Sequence, residues 1–313
     1  MMRIVPGRLC KGDKIGLVSP GRRMALELLN VGVARLQSLG YEPDIDRQNY
    51  LQLYDFAGSD RERASAVQSM LERPDVKAVM FTQGGYGTLR IIDHIDYERV
   101  LASPKIVIGY SDITALLISL RVRAGLVTYH GPMLYDLSQR IDDKTWKWFE
   151  ETLVTAVPSS HNFGPHSGVG VIRPGEGEGE LLGGNLTLLT NLIGTGSDFI
   201  TDGCILFLED CDEELYAIDR MLVHLSRNGK LRRPAALLIG QMKNISERRM
   251  FCGGSIAERL LHTCDGTDYP IIFNFPFGHE SPQLTLPIGI RAQVEASPTG
   301  AVRFRMLEPP VEV

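Results

Sequence analysis

The first 130 residues switch repeatedly between strand-like and helix-like hydrophobic spacing, and this alternation constrains the fold more than any other feature. Asp13-Lys-Ile-Gly-Leu-Val-Ser-Pro20 reads as a strand entering a Pro-Gly turn. Residues 22–39 read as a helix that Gly40 stops, and 41–46 as a short strand. Ser59-Asp-Arg-Glu62 has the spacing of a capping box, and Ala64, Val67, Met70 and Leu71 follow it on one face. That helix closes before Pro74. Residues 77–83 form the next strand, which runs into Gly84-Gly-Tyr-Gly87 and a helical stretch from Thr88 to Ile92. Residues 105–110 are a β-branched run. From Asp112 the period changes, and Ile113, Leu116, Leu117 and Leu120 fall at i, i+3, i+4 and i+7. Residues 125–132 supply one more strand. Strands alternating with helices predict a doubly wound parallel sheet. Ligands of such sheets gather at the carboxyl ends of the strands, where Gly84–Gly87 and Ser111 fall.

Beyond Tyr135 the pattern weakens. Trp146, Trp148 and Phe149 suggest a docking helix, and 159–179 is rich in Gly, Pro, Ser and His, including Gly175-Glu-Gly-Glu-Gly179. This stretch reads as a connection. A second segment opens near Leu181. Gly183-Gly-Asn-Leu-Thr187 begins a helix, and 204–208 and 235–241 are strands. Leu215, Ile218, Leu222 and Leu225 mark a helix, and 253–263 another. Short strands at 271–275, 291–296 and 301–306 close the chain. The expected organisation is α/β: an N-terminal doubly wound parallel domain over 1–140, a connection over 141–180, and a smaller C-terminal α/β (α+β) domain over 181–313. A chain of 313 residues can hold two such cores.

Charge and composition exclude several function classes. The net charge is −5 and no basic run stands out, which argues against a nucleic-acid partner. The first ten residues lack the apolar core of a secretory signal, and no stretch is long and apolar enough to span a bilayer. The five cysteines (Cys10, Cys204, Cys211, Cys252 and Cys264) are an odd set without C-x-x-C. They suggest free thiols in a reducing cytoplasm, neither a disulfide framework nor a zinc site.

Three places can carry chemistry. Ser111 sits at a strand-to-helix joint, the setting of a nucleophile elbow, although Ile113 stands where G-x-S-x-G requires its second glycine. Taken alone, the stretch fits a plain serine N-cap better. The Gly84–Gly87 turn matches neither G-x-G-x-x-G nor the P-loop. It is either a tight turn or, with the N–H of Gly85 and that of Asp112, an oxyanion-binding pair facing Ser111. In Glu209-Asp-Cys-Asp-Glu-Glu214 most acids suit a first helical turn, and Asp212 is a candidate N-cap. Glu209 differs because it ends the apolar run 205–208, where a carboxylate is suited to orient a histidine. His279 follows a strand, a proline and a glycine. The other histidines (His94, His130, His161, His166, His224 and His262) form no recognisable metal set.

Five ordered motifs resemble one family across nearly the whole chain: Gly84-Gly-Tyr-Gly87, Gly109-Tyr-Ser-Asp112, Gly183-Gly-Asn-Leu-Thr187, Leu208-Glu-Asp210 with Tyr216-x-Ile-Asp-Arg220, and Phe277-Gly-His279. They resemble the muramoyltetrapeptide L,D-carboxypeptidases, serine peptidases of murein recycling. The resemblance implies Ser111 as nucleophile, His279 as general base and Glu209 as its orienter, with Gly85 and Asp112 N–H groups as oxyanion donors. It implies a site in the cleft between two domains, no metal and no organic cofactor, a murein peptide substrate, a cytoplasmic location and a homodimer. Gln83 stands where many members carry arginine, which leaves the precise peptide preference open.

Two other readings compete. Related microcin C resistance peptidases use the same triad to hydrolyse an aminoacyl-nucleotide amide; an added loop with a base-stacking aromatic is expected there, and this chain shows no clear insertion of that kind. The second is a non-catalytic two-lobed small-molecule binding module, against which the absent signal peptide and the presence of all three triad candidates argue.

Overall fold

The computed structural model describes residues 3–139, 141–250 and 253–313. Cys252 and the first two residues, which entered the sequence reading, lie outside them. In chain order the strands are β1 Lys14–Val18, β2 Glu42–Ile45, β3 Ala78–Phe81, β4 Ile106–Gly109, β5 Thr128–His130, β6 Ser160–Phe163, β7 Gly170–Arg173, β8 Gly175–Asn185, β9 Ile205–Cys211, β10 Ala236–Lys243, β11 Ile271–Phe273, β12 Leu286–Ile288, β13 Arg291–Ala296 and β14 Val302–Met306. The chain forms two compact α/β units. One comprises Met1–Val157, Gln283–Gly289 and Pro310–Val313, the other Pro158–Pro282 and Ile290–Pro309.

The first unit holds a six-stranded sheet in the order β12-β5-β4-β3-β1-β2. From β2 to β5 every pairing is parallel. The order reverses between β1 and β3, so the sheet is doubly wound as the alternation predicts. β12 adds an antiparallel edge on β5 that the sequence reading did not contain. Its Pro287 suits an edge, where one strand face needs no N–H. β3 and β4 are buried along their length, which is why they read as unbroken apolar runs. The Ser59–Glu62 capping box is present and starts the helix Asp60–Glu72. At the reversal point a buried polar network ties the 3₁₀ turn Arg47–Tyr50 to the end of β1. Ser19 Oγ donates to Asn49 Oδ1 at 2.7 Å, Gln48 Nε2 to Ser19 O at 2.8 Å, and Asn49 Nδ2 to Leu17 O at 2.8 Å. Trp146 stacks on Phe149 at 4.5 Å within the helix Asp143–Leu153, and Trp148 is buried, so the tryptophans serve packing.

The second unit holds a mixed eight-stranded sheet in the order β6-β14-β13-β8-β9-β10-β11-β7. Its centre, β8 to β11, is parallel, and the flanks are antiparallel. This corrects the expected division. Residues 141–180 are not a connection: they carry the helix Asp143–Leu153 and the strands β6, β7 and the start of β8. The glycines of β8 mark close passage of other backbone, not a loose tether. A β-carbon at Gly177 would stand 2.2 Å from Ala235 O, and one at Gly179 only 2.0 Å from Gly203 O. The intervening Glu176 and Glu178 are exposed. Nor is the tail from 181 a single unit, since 283–289 and 310–313 belong to the first. Among the described residues no helix is long and apolar enough to cross a membrane.

Candidate active site

Ser111 is set by the geometry at the end of β4. Gly109 has no room for a side chain, because a β-carbon there would meet Ile113 Cγ2 at 2.8 Å. The chain can therefore fold back tightly. Tyr110 is extended, and Ser111 follows with φ of +61°. A left-handed non-glycine residue costs about 1–2 kcal/mol, and such strain gathers at functional positions. A 3₁₀ turn over Ser111–Ile113 leads into the helix Thr114–Ser119, and neither carries a side-chain cap. Ser111 thus does not serve as the N-cap that the stretch alone favoured.

The glycine turn presses against this serine. A β-carbon on Gly84 would lie 3.0 Å from Ser111 Cβ, 3.2 Å from its Oγ and 3.6 Å from the Asp112 nitrogen. Gly85 (φ +109°) and Gly87 (φ +131°) adopt conformations that favour glycine. The Asp112 side chain, 2% exposed, fixes the turn from below. It accepts hydrogen bonds from Thr88 N at 2.9 Å and Thr88 Oγ1 at 2.6 Å. Burial raises the Asp112 carboxyl above its usual range, while the bonds from Thr88 and Gly87 and the charge of Arg63 oppose the rise. Arg63 is fully buried. It donates to Gly87 O at 3.0 Å and to Pro20 O, pairs with Asp60, and lies 4.7 Å over the Phe56 ring. Gln83 Nε2 donates to Arg23 O at 2.9 Å. The side chains of Asp112 and Arg63 were missed in the sequence reading, which used only the Asp112 N–H; an acid directly after a serine, with Thr88 directly after a glycine turn, was the available signal.

In the second unit Glu209 and His279 are brought together. Glu209 lies on β9 and is fully buried, and its Oε2 stands 2.7 Å from His279 Nδ1. Its Oε1 has no hydrogen-bond partner among the described residues. The histidine loop is clamped on β10. Gln241 N donates to Phe277 O at 2.9 Å, Glu280 N to Gln241 Oε1 at 2.7 Å, and Lys243 Nζ to His279 O at 3.1 Å. Gly278, at φ +119°, must be glycine, since a β-carbon would stand 3.2 Å from Glu209 Oε2. Burial favours the neutral ring, but the Glu209 carboxylate and the neighbouring Cys211 thiol outweigh it and push His279 up to about 10.

Asp210 faces the other side of β9, as strand alternation requires. It accepts from Asn185 Nδ2 at 3.0 Å, Thr187 N at 2.9 Å and Thr187 Oγ1 at 2.8 Å, and so anchors Gly183-Gly-Asn-Leu-Thr187. Burial and the charge of Glu209 raise it to about 6. Asp212 is not the helix cap. The helix Leu215–Arg227 begins after Glu214, and Asp212, at φ +60°, accepts from Asn244 Nδ2 at 2.9 Å. Glu214 instead accepts from Ser246 Oγ and Arg248 N.

Family profiles described as the LD-carboxypeptidase N-terminal and C-terminal domains match residues 15–131 and 178–294. A probable murein peptide carboxypeptidase of Bacillus subtilis is 35% identical over 95% of this chain and 93% of its own. A microcin self-immunity protein of Escherichia coli is 28% identical over 92% of each. Among solved structures, a muramoyltetrapeptide carboxypeptidase from Oxalobacter formigenes superposes with a TM-score of 0.83 at 29% identity, covering 95% of this chain and 100% of that one.

Proposed function

Because the chain belongs to the LD-carboxypeptidase family, we propose that it is a cytoplasmic serine L,D-carboxypeptidase that releases the terminal D-alanine of murein tetrapeptide. The observation that carries this reading is the 2.7 Å pairing of His279 Nδ1 with the fully buried Glu209 carboxylate. A buried carboxylate spent on holding one imidazole is the arrangement a general base needs. In this reading the pair serves Ser111, whose strained turn supplies the nucleophile.

The reaction is acyl transfer in two steps. Ser111 Oγ attacks the carbonyl of the L-configured centre of meso-diaminopimelate, and His279 Nε2 takes the hydroxyl proton. The N–H groups of Gly85 and Asp112 stabilise the tetrahedral oxyanion; losing one such donor costs about 100- to 1,000-fold in rate. The C–N bond breaks, and His279 returns the proton to the leaving D-alanine amine. A water, deprotonated by the same imidazole, then hydrolyses the acyl-serine and restores Ser111. Glu209 keeps the ring oriented and stabilises its charged form throughout. The enzyme is proposed to act as a homodimer.

The test is release of D-alanine from L-Ala-γ-D-Glu-meso-diaminopimelyl-D-Ala by wild type and Ser111→Ala. Release by the wild type alone supports the reading. Cleavage of an aminoacyl-nucleotide amide, with the tetrapeptide untouched, moves the substrate to the microcin type. A folded wild type inert on both would favour the binding module.

A further inference from the structure

Beside the glycine turn, within the first unit, lies a cavity of about 580 Å³ lined by Arg22, Tyr54, Asp55, Phe56, Gly85 and Tyr86. It shares Gly85 with the proposed oxyanion pair, so an occupant is contiguous with the acyl group under attack. The walls are built, not loose. Leu53 and Phe56 exchange reciprocal backbone hydrogen bonds at 3.0 Å, which makes Tyr54 and Asp55 the centre of a tight turn. That turn is pinned to the 20–23 segment by Arg23 N donating to Asp55 O at 2.8 Å and Ala57 N to Gly21 O at 3.1 Å. Buried Arg63 supports Phe56 from below.

Two features of this pocket lack a folding role. Tyr54 is held at φ +56° yet is 81% exposed, so a bulky side chain bears backbone strain without the reward of burial. Arg22 and Asp55 are exposed, and among the described residues neither forms an ion pair, with each other or with anything else. The Arg22 stem lies along Gly85: a β-carbon there would stand 3.1 Å from Arg22 Cβ and 3.3 Å from its Cδ.

One cation and one anion, neither in an ion pair, line the same pocket as three aromatic side chains and suit a ligand group that carries both charges on an alkyl stem. We propose that this pocket binds the acyl-side side chain of the substrate when that chain ends in an α-amino carboxylate. Arg22 pairs the carboxylate, Asp55 the ammonium, and Phe56 and Tyr86 cover the methylenes. The leaving D-alanine is far too small to fill such a volume. This rests on the carboxypeptidase reading above and adds a specificity determinant to it: the pocket separates diaminopimelate from lysine at the third position, because lysine lacks the distal carboxylate.

The experiment compares kcat/KM for two tetrapeptides, one with meso-diaminopimelate and one with L-lysine at position three, in wild type, Arg22→Met and Arg22→Lys. Wild type is expected to prefer diaminopimelate. Arg22→Met should shrink that preference by about 10- to 100-fold, the usual effect of removing a charged hydrogen bond, and Arg22→Lys should restore part of it. A wild type that hydrolyses both peptides equally, or an Arg22→Met variant that loses equally on both, overturns the pocket assignment and leaves the carboxypeptidase reading standing. A wild type inert on both peptides overturns the carboxypeptidase reading and the pocket assignment with it.

Discussion

A β-carbon at Gly84 would stand 3.0 Å from Ser111 Cβ and 3.2 Å from Ser111 Oγ. The glycine is therefore a steric requirement of the serine's position. Gly84 is not among the glycines with positive φ, so Gly84→Ala leaves the backbone unstrained and acts through this contact alone. The expected outcome is a fall in kcat of about 100-fold, the cost of misplacing a reacting group by a fraction of an ångström to 1 Å, with Tm nearly unchanged. Thermal melts beside steady-state kinetics check it. A variant with normal kcat would mean that Ser111 Oγ does not need its present position.

The Glu209–His279 pair predicts the pH profile. A general base works only when neutral, and the neutral fraction grows with pH. Since His279 is pushed up to about 10, kcat/KM should climb steadily above neutrality, past the ordinary histidine range near 6.5. Glu209→Gln removes the carboxylate that raises it and leaves burial, which lowers it, opposed by Cys211 alone. The limb should then move to lower pH, while kcat drops about 10³- to 10⁴-fold. Rate profiles from pH 5 to 10 for both proteins decide this; an unmoved limb in Glu209→Gln would assign it to another group.

The same pair couples folding to pH. The folded-state value exceeds the unfolded one, so the stability it lends is complete below about pH 6.5 and is lost as pH rises through about 10. Urea midpoints at pH 6, 8 and 10 should show this decline, and Glu209→Gln should flatten it. An equal slope in the variant would place the dependence elsewhere.

Asp112 predicts a local failure. Asp112→Ala strands the buried Thr88 N–H and removes an anion from fully buried Arg63. An orphaned buried donor costs about 1–3 kcal/mol, so Tm should fall measurably. Hydrogen exchange should show residues 84–88 opening ahead of the rest of the sheet. Uniform loss of protection would instead make Asp112 a general core residue.

Much of this was legible in the sequence. The buried runs of β3 and β4, the Ser59–Glu62 box and the Glu209 and His279 positions are all local signals: period, capping chemistry, or an acid ending an apolar strand. What was not legible depends on partners distant in the chain. Leu286-Pro-Ile carries no strand signal until β5 supplies its neighbour. Asp112 and Arg63 look like ordinary helical charges until three turns close over them. Asp212 looks like a cap because nothing in its own sequence announces the left-handed turn that it shares with Asn244. The largest misreading was Gly175-Glu-Gly-Glu-Gly179, where glycine's two uses, loosening a chain and admitting another backbone, have the same composition.

That misreading yields the last prediction. If 175–179 were a tether, Gly179→Ala would be neutral or slightly stabilising through the unfolded chain. In β8 a β-carbon at Gly179 would fall 2.0 Å from Gly203 O, and Gly179 pairs with Ala292 of β13. The contact is backbone to backbone, so no side chain can rotate away and the strands must separate. Overpacking of this kind costs about 1–3 kcal/mol or more. Glu178→Ala, at the exposed neighbour, removes only the surface pair with Arg291, worth less than about 1 kcal/mol. Gly179→Ala should therefore lower Tm by several degrees and Glu178→Ala by little. Equal, small shifts in both would restore the tether.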